Sequence, residues 1–305
     1  MPGHVTELPP TERRNERARD LDLLSTRDLL RLMNEEDATV ARAVGACLDD
    51  IASAVDGIAA RLRSGGRLVY VGAGTSGRLG VLDASEAPPT FGVPPDLVVG
   101  VIAGGDAALR RSIEGAEDDG NAAVRALDEL GLGARDAVVG VSAGGRTPYV
   151  KAALERARAR GAFTVALTCN ARAPIAAGVD TVIAPQVGPE VVAGSTRLKS
   201  GTAEKLVLNM LSTATMVRLN KTYGDLMVDL RAASAKLRDR AVRILRETTG
   251  ADDARARATL EASDWSLKPA IFMLRAGVDR AEAERRLAAA EGSLRRALAQ
   301  PEGKP

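Results

Sequence analysis

The chain has 305 residues, 42 Lys and Arg against 40 Asp and Glu, and a net charge of +2; 45% of residues are hydrophobic and 2% aromatic. This is ordinary globular composition, with a core that Ala, Val, Leu and Ile must build. The balanced charge and the presence of only three Phe, three Tyr and one Trp exclude the basic face and the stacking platforms of a nucleic-acid binder.

Residues 1–20 are polar and charge-dense, carry Pro2, Pro9 and Pro10, and read as a mobile arm. The arm contains the only histidine, His4, so neither a His-based triad nor a His-rich metal site is expected. Acid–base work then falls to carboxylates, Lys or Tyr. The N-terminus lacks the apolar core of a secretory signal, and no run approaches the roughly 18 apolar residues of a membrane span. No membrane association and a cytoplasmic location are expected.

Residues 21–62 read as N-terminal helices. A 3.6-residue apolar pattern starts behind a Ser25 N-cap, with Leu29, Leu30, Leu32 and Met33 followed by Val40, Ala43, Val44 and Leu48. Cys47 and Cys169 are isolated thiols and read as buried small hydrophobes.

From residue 63 to 228 the period changes. Apolar runs at 67–72, 97–102, 137–141, 163–167 and 181–184 alternate with helical patterns at 107–116, 120–131, 148–160 and 202–219. Strands alternating with helices specify βαβ units, and near-continuous apolar strands specify burial on both faces. The expected fold is α/β, a doubly wound five-stranded parallel sheet. Residues 229–305 read as a small C-terminal α-helical domain, with helices near 230–248, 252–262, 267–276 and 280–299.

Two loops carry the chemistry. The first strand enters Gly72-Ala-Gly-Thr-Ser-Gly77, literally G-x-G-x-x-G. A dinucleotide site needs an acidic residue at the end of the second strand. Asp106, 29 residues past Gly77 and behind a glycine pair, fits that role poorly. Backbone N–H groups with the Thr75 and Ser76 hydroxyls, between Gly74 and Gly77 at a helix start, suit a single phosphate better. The third strand enters Ser142-Ala-Gly-Gly-Arg-Thr147, again placing hydroxyls at a helix start, here with Gly144, Gly145 and Arg146 between them. Each loop alone could be a tight glycine turn. Together, at the carboxyl ends of strands one and three, they favour a phosphate-binding crevice. A third stretch, 194–202, places Ser195, Arg197 and Lys199 at the start of a long helix; the two basic residues are either solvated surface or ligand-facing.

The glycine–hydroxyl loops resemble those of the sugar isomerase (SIS) domain, which binds phosphosugars. More narrowly, GAGTSGRLGVLDASEAPPTFG at 72–92, IEGAED at 113–118, GRTPYV at 145–150 and GSTRLKSGTAEKLVLNML at 194–211, with NEED at 34–37 and LMVD at 226–229, resemble the N-acetylmuramic acid 6-phosphate etherase family. The resemblance covers roughly residues 11–300 and extends, more distantly, to the glucokinase regulatory protein. It implies a homodimer that needs no cofactor or metal and removes D-lactate from C3 of N-acetylmuramic acid 6-phosphate, leaving N-acetylglucosamine 6-phosphate.

The motifs imply Glu86 as the acid–base residue and Glu117 as a second carboxylate, each with its pKa raised by burial beside the ligand. By residue type alone Glu86 is a solvated helix end, and Glu117 joins Glu114 and Asp118 on an acidic helix face. The phosphate contacts implied are Gly74, Thr75, Ser76, Gly77, Ser142, Gly144, Gly145, Arg146, Thr147, Ser195 and Lys199. SIS loops usually carry Ser where this chain has Gly144, so one hydroxyl is missing. Ten helical residues separate Ser76 from Glu86, about 15 Å at 1.5 Å per residue. Either the helix breaks before Pro88 or Glu86 serves a partner subunit's site. Residues 249–274 resemble a ubiquitin-associated three-helix fold and read as packing or dimer support. A phosphosugar-sensing regulator and an aldose–ketose isomerase remain the competing readings.

Overall fold

The structure, a computed structural model, describes residues 8–229 and 235–299. His4 lies outside them. The chain forms two compact units: Met1–Ser85 with Asp96–Thr213, and Glu86–Pro95 with Ala214–Pro305. The second therefore reaches beyond the expected 229–305.

The first unit holds five parallel strands, β1 (Leu68–Gly72), β2 (Val98–Ile102), β3 (Ala137–Val141), β4 (Phe163–Leu167) and β5 (Thr181–Ile183), in the order β2-β1-β3-β4-β5. All five match the apolar runs, because strands covered on both faces keep few polar residues. The order reverses at β1, which pairs with both β2 and β3. Three helices precede the sheet: α1 (Thr26–Asp37), α2 (Val40–Gly45) and α3 (Leu48–Arg63). Ser25 caps α1 by accepting from the Asp28 N–H. Helix α3 packs across β3, β4 and β5. On the other face, α5 (Gly120–Glu129) and α6 (Pro148–Ala159) close over Val69, Val71, Val138 and Ala166. Helix α4 (Gly74–Phe91) follows β1 and α7 (Lys199–Arg218) follows β5.

Four expectations are corrected. The helix expected at 107–116 is a pair of 3-10 turns, Asp106–Leu109 and Ala116–Asp118. Gly104, Gly105 and Gly115 lie at positive φ, which stops an α-helix from forming. Glu114, Glu117 and Asp118 therefore share no helix face. Residues 8–20 are ordered 3-10 turns and not a loose arm: Thr11 and Asn15 are buried, and Asn15 Nδ2 donates to Glu36 Oε2 at 2.9 Å. The 280–299 helix is two, broken where Glu291 and Gly292 take positive φ. A short hairpin, β6 (Thr222–Tyr223) with β7 (Leu226–Met227), was not foreseen.

The second unit also contains α8 (Ala235–Thr249), α9 (Asp253–Ala262), α10 (Leu267–Ala276), α11 (Arg280–Ala289) and α12 (Leu294–Ala299). They surround a core that includes Leu245, Leu260, Ile271 and Phe272. Buried Lys268 donates to the Asp229 carboxylate at 2.8 Å and to the carbonyls of Asn220 and Gly292 at 2.9 and 3.0 Å.

Candidate functional site

The two glycine loops leave the sheet side by side. Gly72 and Val141, the last residues of β1 and β3, are partners in the ladder, so the loops begin about 4.8 Å apart. This is the crevice at the reversal of strand order, where open α/β sheets bind ligands. The first loop is tight. A Cβ on Gly72 would lie 2.6 Å from the Gly77 nitrogen, and one on Gly77 would lie 2.8 Å from the Gly72 oxygen. Only glycine at both positions lets α4 start directly above the strand. The first turn of a helix leaves N–H groups without carbonyl partners, and here residues 74–76 present them.

Gly74 is exposed, Thr75 half-buried, and Ser76 and Gly77 buried. Ser76 Oγ lies 2.9 and 3.0 Å from the two oxygens of Glu204, a carboxyl with no exposure. Desolvation raises the Glu204 pKa from 4.5 to about 8, against the Ser76 hydrogen bond and with repulsion from Glu190. Glu204 escaped the sequence reading because it sits on a helix whose stripe looked ordinary, and with Lys205 beside it it reads as part of a solvated face.

The second loop is held by its own polar groups. Ser142 Oγ and Thr147 Oγ1 are 2.8 Å apart, and the Gly145 N–H donates to Ser142 Oγ at 3.1 Å. Thr147 precedes α6 without capping it through its side chain, and Pro148 opens the helix. Gly145 has φ +69, and a Cβ there would collide with Ala173. Gly144 is half-buried, and a Cβ there would meet no clash. Arg146 is exposed and lines a cleft of about 400 Å³ with Arg13, Arg172 and Asn170.

The third stretch is already satisfied from within. Glu190, fully buried, accepts from the N–H groups of Lys199 and Ser200 at 3.0 and 2.9 Å and from Ser200 Oγ at 2.9 Å. It caps α7, so that helix start does not call for a foreign anion. Lys199 is 3% exposed and its ammonium lies 2.6 Å from Glu36 Oε2. Lys199 thus holds a buried ion pair. Burial would raise the Glu36 pKa, but Lys199, Asn15 and Arg17 outweigh it and hold it below the usual carboxylate range. Ser195 is half-buried and Arg197 exposed.

Glu117 lines a cleft of about 290 Å³ together with Gly74, Arg78, Ser112 and Glu114. The structure therefore brings one implied catalytic carboxylate to the first glycine loop. Arg78, which the sequence reading passed over, is fixed there by donating to the Leu109 and Arg111 carbonyls. Glu86 lies on α4, which continues through Pro88 and Pro89 to Phe91; the break considered before Pro88 does not occur. Glu86 and Glu117 are both exposed, so the burial expected to surround them is absent from the single chain. Cys47 and Cys169 are buried free thiols, and desolvation raises the pKa of both.

The N-terminal SIS domain of the glucokinase regulatory protein matches residues 50–158, and the SIS domain matches residues 127–214. Two solved phosphoheptose isomerases share the fold. The one from Francisella tularensis has a TM-score of 0.51 at 18% identity, covering 64% of this chain and 100% of its own. The one from Neisseria gonorrhoeae has 0.50 at 18%, covering 63% and 98%. The N-acetylmuramic acid 6-phosphate etherase of Salmonella agona is 54% identical over 288 residues, 94% of this chain and 97% of its own length. That of Cronobacter sakazakii matches to the same extent. With paired glycine loops at the strand reversal and more than half of its residues shared along nearly its whole length, the chain belongs to the N-acetylmuramic acid 6-phosphate etherase family.

Proposed function

We propose that this protein cleaves the C3 lactyl ether of N-acetylmuramic acid 6-phosphate, giving N-acetylglucosamine 6-phosphate and D-lactate, in the cytoplasm during peptidoglycan recycling and amino-sugar catabolism. The observation that carries the reading is the 54% identity over 94% of the chain to proteins of that name. The glycine loops and the Glu117 cleft supply parts that the reaction needs.

An ether is hard to hydrolyse directly because its alkoxide leaves poorly. Opening the sugar ring exposes a C1 aldehyde, which acidifies the C2 hydrogen and places the C3 ether β to a carbonyl. A base removes the C2 proton, an acid protonates the departing lactate oxygen, and the C2–C3 double bond forms. Water then adds back: oxygen to C3, proton to C2. Each step asks for general acid–base groups. Glu86 is assigned the transfers at C2 and at the lactate oxygen, and Glu117 assists ring opening or positions the water. The phosphate rests on the N–H groups of residues 74–76 and the hydroxyls of Thr75 and Ser76, which Gly77 lets approach closely, with Ser142, Gly144, Gly145 and Thr147. Arg146 and Ser195 are assigned further substrate contacts, and Lys199 acts by holding Glu36.

The working unit is a homodimer. With α4 unbroken, Glu86 stands about 15 Å along the helix from Ser76, which a hexose phosphate held at the helix start does not span. A partner subunit's glutamate meets that need. Leu23 and Leu30, 78% and 59% exposed, are apolar surface available for self-association.

The test is incubation with N-acetylmuramic acid 6-phosphate and an assay for D-lactate. Stoichiometric lactate is expected. Tight binding without lactate would leave a phosphosugar sensor, and turnover of lactate-free aldose phosphates would leave an isomerase.

A further inference from the structure

Thr11 is 1% exposed, yet its Oγ1 has no hydrogen-bond partner; among the described residues only Thr215 shares that condition. A buried hydroxyl left without a partner is rare and points to a group that is missing. The position of this one is informative. A Cβ built on Gly144 would have a single neighbour within 4 Å: Thr11 Oγ1, at 3.7 Å. The orphan hydroxyl therefore faces the loop position where the side-chain hydroxyl is absent.

The segment carrying Thr11 is tied to the 189–194 stretch and to α1. The Thr11 carbonyl accepts from the Gly194 N–H at 3.2 Å, and Pro10 opens a 3-10 turn over Pro10–Glu12. Asn15, four residues on, donates to the buried Glu36, which in turn holds Lys199. The backbone that carries Thr11 is thus held by contacts that do not involve its hydroxyl, which limits the reordering needed when a ligand arrives. The hydroxyls already in the loop, Ser142 and Thr147, bond to each other and leave room for a third.

We propose that Thr11 supplies, from the N-terminal segment, the phosphate-gripping hydroxyl that Gly144 cannot. It rests on the reading of the 142–147 turn as part of the phosphate site. The ligand is the monoester dianion of the substrate, and Thr11 Oγ–H donates to one of its oxygens.

The experiment compares Thr11→Val, Thr11→Ser, Gly144→Ser and the Thr11→Val/Gly144→Ser double variant of the full chain. KM and kcat are measured with N-acetylmuramic acid 6-phosphate, and inhibition and thermal protection with inorganic phosphate. Loss of one hydrogen bond to a charged group predicts a KM raised about 10- to 100-fold in Thr11→Val, with a parallel weakening of phosphate. Thr11→Ser stays near wild type because it keeps the hydroxyl. Gly144→Ser offsets the loss in the double variant, so the two changes are not additive. Melting temperature in Thr11→Val stays level or rises, since an unmet buried hydroxyl has gone. Unchanged KM in a Thr11→Val enzyme that releases D-lactate overturns the proposal, as does an equal loss in Thr11→Ser, which would mean that the methyl matters. If the wild type releases no lactate, the etherase reading fails instead. Thermal protection by phosphate, retained or lost in Thr11→Val, then still decides the role of Thr11.

Discussion

Ser76 Oγ sits 2.9 Å from Glu204 Oε1 beneath the first glycine loop, and Glu204 is wholly shut off from solvent. One proton distinguishes two states of this pair. With Glu204 ionised, the single Ser76 proton is committed to the carboxylate. With Glu204 protonated, the carboxyl can donate to Ser76 Oγ and free the serine proton for a phosphate oxygen.

The pair makes stability and binding depend on pH in a defined direction. The folded pKa of about 8 lies above the ordinary 4.5, so folding favours the protonated form. That contribution is full below 4.5 and is lost as pH rises towards 8. Glu204→Gln, which cannot ionise, should hold its melting temperature from pH 6 to 9 while the wild type declines by several degrees (about 1 kcal/mol or more). KM should rise above pH 8 in the wild type alone. Parallel pH profiles in the two proteins would refute the assignment.

Lys199 and Glu36 test the distinction between structure and ligand binding. Removing one member of a buried ion pair strands the other charge. Lys199→Met should therefore destabilise by about 3–5 kcal/mol. Adding Glu36→Leu should recover most of it by calorimetry. A Lys199→Met protein of normal stability and raised KM would return this lysine to the phosphate.

Gly145 and Gly74 both lie at positive φ, yet only Gly145 is walled in by a neighbour. Gly145→Ala should cost about 2 kcal/mol or more, because strain and collision with Ala173 add, whereas Gly74→Ala should cost about 1 kcal/mol from strain alone. Denaturant unfolding of the two variants checks the order.

The acid–base assignments predict D-lactate release reduced by about 100-fold or more in Glu86→Gln, and less severely in Glu117→Gln. Mixed dimers of a Glu86→Gln chain and a Ser142→Ala/Thr147→Val chain should recover up to about a quarter of wild-type turnover, since half of the dimers are mixed and each has one intact site. No recovery would place the whole site in one chain.

The strands and the two glycine loops were legible because burial on both faces and close backbone approach restrict composition strongly. Gly72 and Gly77 cannot be anything larger. The turns at 106–118 were not legible, since helix-forming Ala107, Ala108 and Leu109 conceal the effect of Gly104, Gly105 and Gly115. Glu190, Glu204 and Thr11 were missed for a common reason. Their roles depend on burial by residues distant in sequence, and a polar side chain carries no local mark of being buried. The apparent looseness of residues 8–20 arose the same way, from reading charge density without the contacts that Asn15 makes.

The Lys268 ammonium draws together the backbone before the hairpin, the carboxylate after it and a turn near the chain's end. In a chain whose two thiols stay free, this ionic brace serves as a cross-link indifferent to oxidants. Its rupture would loosen three segments at once, so amide exchange around Asn220, Asp229 and Gly292 should quicken together and not one after another.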